Sequence, residues 1–222
     1  MNFLIFAQVS GAEQVGELSL LMWYVNACGI EFGPLFLLIS IVFVTLTIMN
    51  WLAISQNAIV PPEMIEQFHA KLEAKEHQEA YDLAKESDSS LGKILAVGLL
   101  KMSGGVDVAE QAMNDATETE VMSLEHRLGY IGTIAAISPM IGLLGTVYGM
   151  IMAFHVIART GGAAQASELA GGISLALVTT QVGLLIAIPA LVVFEILKNR
   201  LARFVLELDT QVADALKQFK KI

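Results

Sequence analysis

The apolar residues of this chain are concentrated in three long uncharged stretches rather than spread evenly along its length. The stretches cover residues 32–62, 128–154 and 169–194. About 20 helical residues cross the hydrocarbon core of a bilayer, so each stretch is long enough to span it. The pattern predicts an all-α membrane protein with three transmembrane helices, at residues 32–54, 128–156 and 170–195.

The polar segment between the first two spans also has a helical pattern. A run from Glu63 to about Glu86 follows two prolines, which suit the start of a helix. The run carries an apolar stripe among its charged residues, made of Ile65, Phe68, Leu72, Ala80 and Leu83. A shorter helix is predicted from Leu91 to Met102, before a pair of glycines. Residues 55–127 are therefore predicted to be a helical loop.

Two of the spans are predicted to continue as helices beyond the membrane. Nothing breaks the helical pattern from Val106 to the end of the second span, and the third span continues past Glu195 towards Phe219. At 1.5 Å per residue, the extension of the second span reaches about 30 Å beyond the bilayer. Residues 196–222 are accordingly predicted to be a C-terminal helix. Two such stalks favour a helical bundle over a catalytic domain.

Residues 12–30 have a different, amphipathic pattern. Their apolar side chains share one face of a helix, while Glu13, Gln14 and Glu17 share another. This favours a helix lying on the membrane surface, within an amino-terminal segment of residues 1–31. The alternative is a longer first span that begins near Leu18.

The positions of Lys and Arg predict the orientation. Of the 13 basic residues, 12 lie in the 55–127 loop and the C-terminal tail, and the remaining one is Arg159. Because cytoplasmic segments are enriched in basic residues, the loop and the tail are predicted to be cytoplasmic. The amino terminus and a short loop at residues 157–169 then lie on the outer, periplasmic side.

Composition excludes several functional classes. A net charge of −9 argues against nucleic-acid binding, which needs a basic surface, and 55% apolar residues argue against a soluble enzyme. The sequence has no P-loop, G-x-S-x-G or H-E-x-x-H motif, so neither an enzyme active site nor a cofactor is predicted. His69 and His77 lie on a charged helix and are predicted to be solvated surface side chains rather than metal ligands. Cys28 has no second cysteine with which to pair.

Small residues recur every three or four positions in the second and third spans, which predicts that these two helices pack closely. The candidate packing residues are Gly142, Gly145, Gly149, Gly172, Ala176 and Gly183. Pro189 in the third span either kinks the helix and frees the carbonyl near Leu185, or is simply tolerated near the inner leaflet.

Hydroxyl side chains lie on the same two spans. Such a hydroxyl either donates back to its own helix or lines a hydrated path for an ion. The candidates for a pore-lining path are Ser138, Thr146, Thr179 and Thr180. The central parts of the three spans contain no Asp, Glu, Lys or Arg. Since ion-coupled machines need a protonatable or coordinating group in the membrane, a carboxylate is expected from another polypeptide if this chain moves protons.

Two motifs resemble those of a known family. The segments SPMIGLLGTVYGMIMAF (residues 138–154) and GGISLALVTTQVGLLIAIPAL (residues 171–191) are similar to the MotA/TolQ/ExbB proton-channel proteins, the larger subunits of ion-driven motors. The three-span layout is most similar to the ExbB and TolQ branch.

The resemblance implies a bacterial inner-membrane protein that forms a homo-oligomer, expected to be a pentamer, around a central pore. It implies that Thr146 and Thr180 face the pore, and that the coupling ion is H⁺. The partner would be a dimer of a single-span ExbD/TolR-like protein, whose membrane aspartate carries the proton. The implied output is mechanical work on the envelope, with TonB-dependent outer-membrane transport, through a TonB-like protein, as the leading expectation.

Two departures from the family pattern leave alternatives open. Leu175 stands where well-known ExbB and TolQ members have a glutamate. Thr179 precedes Thr180, and paired hydroxyls resemble those of sodium-driven members. Since hard cations prefer oxygen ligands, Na⁺ at Thr146, Thr179 and Thr180 remains an alternative to H⁺. Tol-type envelope maintenance and gliding are alternative outputs, and a non-conducting scaffold or a permease subunit is the alternative of a different class.

Overall fold

The computed structural model describes residues 28–74, 76–162 and 165–219. All of the regular secondary structure in these ranges is helical. In chain order the α-helices are α1 Gly29–Ala53, α2 Gln56–Ile59, α3 Pro62–Glu73, α4 His77–Glu86, α5 Ser90–Lys101, α6 Val106–Arg159 and α7 Ala166–Phe219. Helices α2 to α5 are the short helices of the loop, and α1, α6 and α7 are the long ones. The surface helix expected at residues 12–30 falls almost wholly outside the described residues.

Three of the described helices are long and apolar enough to cross a membrane. They are Gly29–Ala53, Val106–Arg159 and the part of α7 from Leu169 to Phe219. Many of their large apolar side chains are exposed, with Leu143 at 63%, Leu177 at 67% and Leu185 at 66%. An apolar surface of this extent is unfavourable in water, so lipid or further protein must cover it. The prediction of an all-α chain with three spans is confirmed.

The helix expected from Glu63 to Glu86 is instead two helices, α3 and α4, separated at residues 74–76. The side chains buried along it are Met64, Phe68, Leu72, Ala80 and Ala84, whereas Ile65 and Leu83 are half-buried. Most of these buried positions are four residues apart, and in one straight helix that spacing drifts by about 40° per step. Met64 and Ala84 would then face opposite sides. The break allows both to reach the interior.

Specific residues end and begin the helices of the loop. Pro62 occupies the first turn of α3, where its missing N–H costs nothing. The Ser89 hydroxyl caps α5 by accepting a hydrogen bond from the Gly92 N–H at 3.1 Å. Gly105 has a φ of +104°, a conformation that favours glycine, and α6 begins at the next residue.

The turn between α6 and α7 lies within residues 157–169, the segment predicted as the loop between the second and third spans. Helix α6 runs to Arg159, and α7 begins at Ala166. The chain leaves α6 through Gly161 and Gly162, whose φ angles are +61° and +91°. Two consecutive left-handed residues cannot continue a right-handed helix, so they stop α6 here.

The described chain forms two compact units. One contains α1 as far as Phe43 together with Ile134–Pro189, and the other contains Val44–Thr133 together with the chain from Ala190. In the second unit, His69 Nδ1 lies 2.9 Å from Gln218 Oε1 in α7, so His69 is not simply a solvated side chain as expected. The sequence separation of 149 residues explains why the pattern of α3 gave no sign of this contact.

The first half of α6 is acidic. Between Lys101 and Arg127 it carries six acidic residues and no basic one: Asp107, Glu110, Asp115, Glu118, Glu120 and Glu125. Glu120 pairs with Lys93 of α5 at 3.2 Å. Asp107, Asp115, Glu118 and Glu125 are exposed.

Candidate functional site

Helices α6 and α7 approach each other along a line of glycines. A Cβ atom placed on Gly149 would lie 2.5 Å from the Gly172 carbonyl oxygen and 2.8 Å from the Ala176 nitrogen. One placed on Gly183 would lie 2.6 Å from the Ser138 carbonyl oxygen. Atoms do not approach this closely, so the two backbones pack at a distance that only glycine permits.

The same contact continues at the middle of the spans. A Cβ on Gly142 would lie 3.0 Å from the Thr180 Cα, and one on Gly145 would lie 2.5 Å from the Thr179 Cβ. On the α7 side, a Cβ on Gly172 would lie 2.7 Å from the Gly149 carbonyl oxygen. The glycines proposed for packing from the sequence therefore lie at this contact, and Ala176 is buried within it.

Two of the four candidate pore hydroxyls are fully buried. Ser138 and Thr179 have 0% exposure within the single chain. Ser138 donates to the Ile134 carbonyl at 2.7 Å, and Thr179 donates to the Leu175 carbonyl at 2.9 Å. Both hydroxyls return to their own helix and lie within the α6–α7 packing of the single chain. Their place in a pore stays a prediction.

The other two hydroxyls, those of Thr146 and Thr180, are half-buried. Thr146 donates to the Leu143 carbonyl of its own helix at 2.6 Å. Thr180 donates across the contact to the Gly142 carbonyl at 3.2 Å, and also to the Ala176 carbonyl at 3.3 Å. The absence of a side chain on Gly142 leaves its carbonyl open to this approach. Thr180 is thus both a polar group on an apolar span and a link between the two helices.

Helices α6 and α7 each pass through a proline without ending. Pro139 lies inside α6 and Pro189 inside α7. Proline has no N–H, so the carbonyls four residues earlier, those of Ala135 and Leu185, receive no backbone hydrogen bond from these positions. Pro139 was not singled out in the sequence, although it stands within the SPMIGLLG motif.

A contact between the first and second spans was not predicted from the sequence. Tyr148 Oη donates a hydrogen bond to Glu31 Oε1 at 2.8 Å. The acidic residue at the start of the first span was the signal available, but its partner is 117 residues away. Among the described residues, no group of three or more His, Cys, Asp or Glu side chains could hold a metal ion.

The fold and these contacts define a multi-pass membrane protein whose second and third spans pack through glycines and carry hydroxyls. The chain belongs to the MotA/TolQ/ExbB proton channel family, whose sequence model matches residues 86–210. The match covers α5, α6 and most of α7, which includes the whole glycine contact. The family is one of channels rather than enzymes.

Curated relatives carry two different names. The Tol-Pal system protein TolQ of Haemophilus influenzae is 39% identical over 114 residues, which are 50% of this chain and 47% of that protein. The biopolymer transport protein ExbB of Salmonella typhimurium is 40% identical over 88 residues, 40% of this chain and 36% of that protein. ExbB of Aquifex aeolicus is 36% identical over 84 residues, 38% of this chain and 56% of that protein. The similarity thus spans about half or less of the first two relatives.

Proposed function

We propose that this chain is the channel-forming subunit of an ion-driven motor in a bacterial inner membrane. In the proposal α6 and α7 line the pore of a homo-oligomer, expected to be a pentamer, and H⁺ is the coupling ion. The observation that carries it is the glycine contact between α6 and α7, beside which the half-buried hydroxyls of Thr146 and Thr180 lie on otherwise apolar spans. Polar side chains within membrane spans are costly and therefore point to function.

A partner is part of the proposal. The central parts of the spans contain no Asp, Glu, Lys or Arg, and a proton path needs a protonatable group such as a carboxylate. We infer that a dimer of a single-span ExbD/TolR-like protein enters the pore and supplies a membrane carboxylate. The amino terminus lies in the periplasm and the C-terminal helix in the cytoplasm, because 12 of 13 basic residues fall in the loop and the tail.

The proposal also includes the work that the motor drives. The relatives named TolQ and ExbB are of similar identity, 39% and 40%. We favour energised transport through outer-membrane receptors by way of a TonB-like protein, with Tol-type envelope maintenance or gliding as alternatives. Deleting the gene separates them: loss of receptor-dependent import with an intact envelope supports the first, and leakage of periplasmic protein supports the second.

The proposal is tested by removing the two pore hydroxyls one at a time. Thr146→Val and Thr180→Val keep the shape of the side chain but replace the hydroxyl by a methyl group. Each is expected to abolish proton-gradient-dependent work in cells that contain the partner, while native mass spectrometry shows an unchanged oligomer. Thr146→Ser and Thr180→Ser, which keep the hydroxyl, are expected to retain activity.

A matched control is available on α6. Thr133 also donates to its own helix, at 3.0 Å to the Gly129 carbonyl, but it is exposed and lies outside the glycine contact. Thr133→Val is expected to be silent. If Thr146→Val and Thr180→Val also leave proton-gradient-dependent work unchanged, the pore assignment fails and a non-conducting scaffold is the better interpretation. A permease subunit would instead co-purify with a nucleotide-binding chain and hydrolyse ATP.

The coupling ion is tested separately. For proton coupling, a protonophore stops the work and removal of Na⁺ does not. For the sodium alternative at Thr146, Thr179 and Thr180, the outcome is reversed, and Thr180→Ser is then expected to change the Na⁺ concentration that gives half-maximal work.

A further inference from the structure

An arginine just beyond the third span contacts aromatic rings of two helices. The guanidinium carbon of Arg200 in α7 lies 5.3 Å from the centre of the Trp51 ring in α1. It also lies 5.6 Å from the centre of the Phe204 ring, one turn further along α7. A cation within about 6 Å of a ring centre is attracted to the ring face. The half-buried guanidinium is thus held in place by rings on α1 and α7.

The two rings do not satisfy the N–H groups of this arginine. A guanidinium has five N–H donors in its plane, and these donors bind oxygen acceptors best. Within the described ranges of the chain, no carboxylate pairs with Arg200, and the ion pairs that form there join other residues. Residues 196–206 contain Lys198, Arg200 and Arg203 and no acidic residue. An oxygen-rich anion from outside the chain would therefore complete the site.

Arg200 lies at the depth of lipid headgroups. The third span is predicted to end at Glu195, and five further helical residues place Arg200 about 7.5 Å beyond that end. The headgroup layer adds about 5–8 Å to each side of the hydrocarbon core. Trp51 lies in the last turn of α1, and tryptophan is enriched at this boundary of a membrane. Phosphate groups of lipids are the anions found at this depth.

An exposed apolar surface leads from Arg200 towards the membrane on both helices. On α7, Val192 and Ile196 precede Arg200 by eight and four residues, which places them on the same side of the helix. They are 53% and 50% exposed. On α1, Ile48 lies one turn before Trp51 and is 56% exposed. An acyl chain can cover this surface and a soluble anion cannot, so the arrangement favours a lipid.

We propose that Arg200 binds the phosphate of an anionic phospholipid where α1 meets α7. The edge of the guanidinium donates two hydrogen bonds to two phosphate oxygens, the geometry in which arginine pairs with phosphate. The rings of Trp51 and Phe204 hold the guanidinium, so less side-chain freedom is lost when the lipid binds. Arg203, one turn further along α7, adds positive charge, and the acyl chains cover the apolar surface.

The site is independent of ion conduction, and Trp51 supplies a local probe of it. The sequence has two tryptophans, Trp23 and Trp51, so a Trp23→Phe chain reports from Trp51 alone. This chain is reconstituted in vesicles of phosphatidylcholine and phosphatidylglycerol, with one or the other lipid brominated. Bromine quenches the fluorescence of a tryptophan that it contacts, so the two series give the relative affinity of the two lipids beside Trp51. A preference of about fivefold for phosphatidylglycerol is expected for one basic side chain near the surface.

Substitutions in the Trp23→Phe chain test the role of the guanidinium, and each is compared with its own vesicles of unbrominated lipid. Arg200→Gln is expected to lose the preference, because the amide carries no charge. Arg200→Lys keeps the charge but not the planar edge, and is expected to keep a preference of about twofold.

Lys198→Gln is the matched control. It removes the same charge from the same part of α7, but Lys198 lies about 200° around the helix from Arg200 and contacts a different ring, that of Phe194, at 5.7 Å. It is expected to keep the full preference. Equal losses in Lys198→Gln and Arg200→Gln would show diffuse attraction by basic residues and would overturn the site.

Three further results would overturn the proposal. One is the absence of any preference for phosphatidylglycerol in the Trp23→Phe chain. Another is competition by inorganic phosphate, relative to chloride at equal ionic strength, which would indicate a site for a free anion. The third is a smaller oligomer of Arg200→Gln in native mass spectrometry without lipid preference in the parent chain, which would assign the guanidinium to a carboxylate of another chain. Since no ion flow is measured, these results are independent of the Thr146→Val and Thr180→Val tests.

Discussion

Gly171 and Gly172 are neighbours at the start of the third span, yet their surroundings differ completely. A Cβ on Gly172 would lie 2.7 Å from the Gly149 carbonyl oxygen and 3.0 Å from the Ala153 Cβ. A Cβ on Gly171 would have no atom of the described chain within 4 Å. One position therefore depends on having no side chain, while the other is free to carry one.

This pair gives a direct test of the helix contact. Gly172→Ala is expected to destabilise the chain by about 1–3 kcal/mol, because a backbone carbonyl cannot move aside as a flexible side chain can. Gly171→Ala is expected to be neutral or to stabilise the chain by up to about 1 kcal/mol, because alanine is the better helix former. Thermal unfolding in nanodiscs measures both. Equal losses in the two variants would contradict the described contact.

At the scale of single residues, the sequence predicted that α6 and α7 pack closely, but not which side of α7 faces α6. The spacing of Gly142, Gly145 and Gly149 was enough to predict close packing. It did not distinguish Thr179, which is fully buried, from Thr180, which is half-buried and reaches across to α6. The two are adjacent, and the rotation of α7 about its own axis decides which of them turns inward. That rotation is set by packing against other helices, not by the local sequence.

At the scale of whole elements, the long helices were easier to predict than the short ones. Nothing in the segment from Val106 onwards interrupts a helical pattern, and α6 runs to Arg159. The separation of α3 from α4 was missed, because no Gly or Pro marks residues 74–76. The signal was the four-residue spacing of the buried side chains, which a single straight helix cannot keep on one face.

The last turns of α7 carry a salt bridge whose contribution to stability depends on pH. Asp214 accepts a hydrogen bond from Lys217 Nζ at 2.8 Å, and this contact lowers the pKa of the Asp214 carboxyl. A carboxyl whose pKa is lowered on folding contributes stability above its ordinary pKa, and loses it as the pH falls through the lowered value. Lys217→Met is expected to return the pKa of Asp214 towards its ordinary value.

Carboxyl carbon NMR of the chain in micelles measures this change, with Asp209, another acidic residue of the same helix, as an internal control. Because the pair is exposed, little change in overall stability is expected. An unchanged Asp214 titration in Lys217→Met would show that the contact is not formed in solution.

For the molecule as a whole, the topology is a prediction that one labelling experiment can check. In a Cys28→Ser background, Thr160→Cys places a thiol at the turn between the second and third spans, and Asp115→Cys places one in the acidic half of α6. The distribution of basic residues predicts that an impermeant maleimide added to spheroplasts labels the first directly, and the second only after permeabilisation. The reverse pattern would overturn the orientation.

The number of spans was predictable because an uncharged apolar stretch of more than 20 residues is characteristic of a transmembrane helix. The association of copies was not predictable from composition, because exposed apolar residues such as Leu143 suit lipid and protein equally well. Only the family resemblance pointed to an oligomer.

The acidic half of α6 bears on how copies of the chain come together. In a homo-oligomer each copy brings the same six carboxylates, and the segment between Lys101 and Arg127 carries no Lys or Arg of its own, although Glu120 pairs with Lys93 of α5. Their mutual repulsion acts over a screening distance of about 8 Å at physiological ionic strength, and over about 30 Å at 0.01 M salt. Mass photometry is therefore expected to find smaller assemblies as salt is removed, and a divalent cation should restore them. By screening this repulsion, the dissolved ions around the segment stabilise the assembly together with its apolar faces.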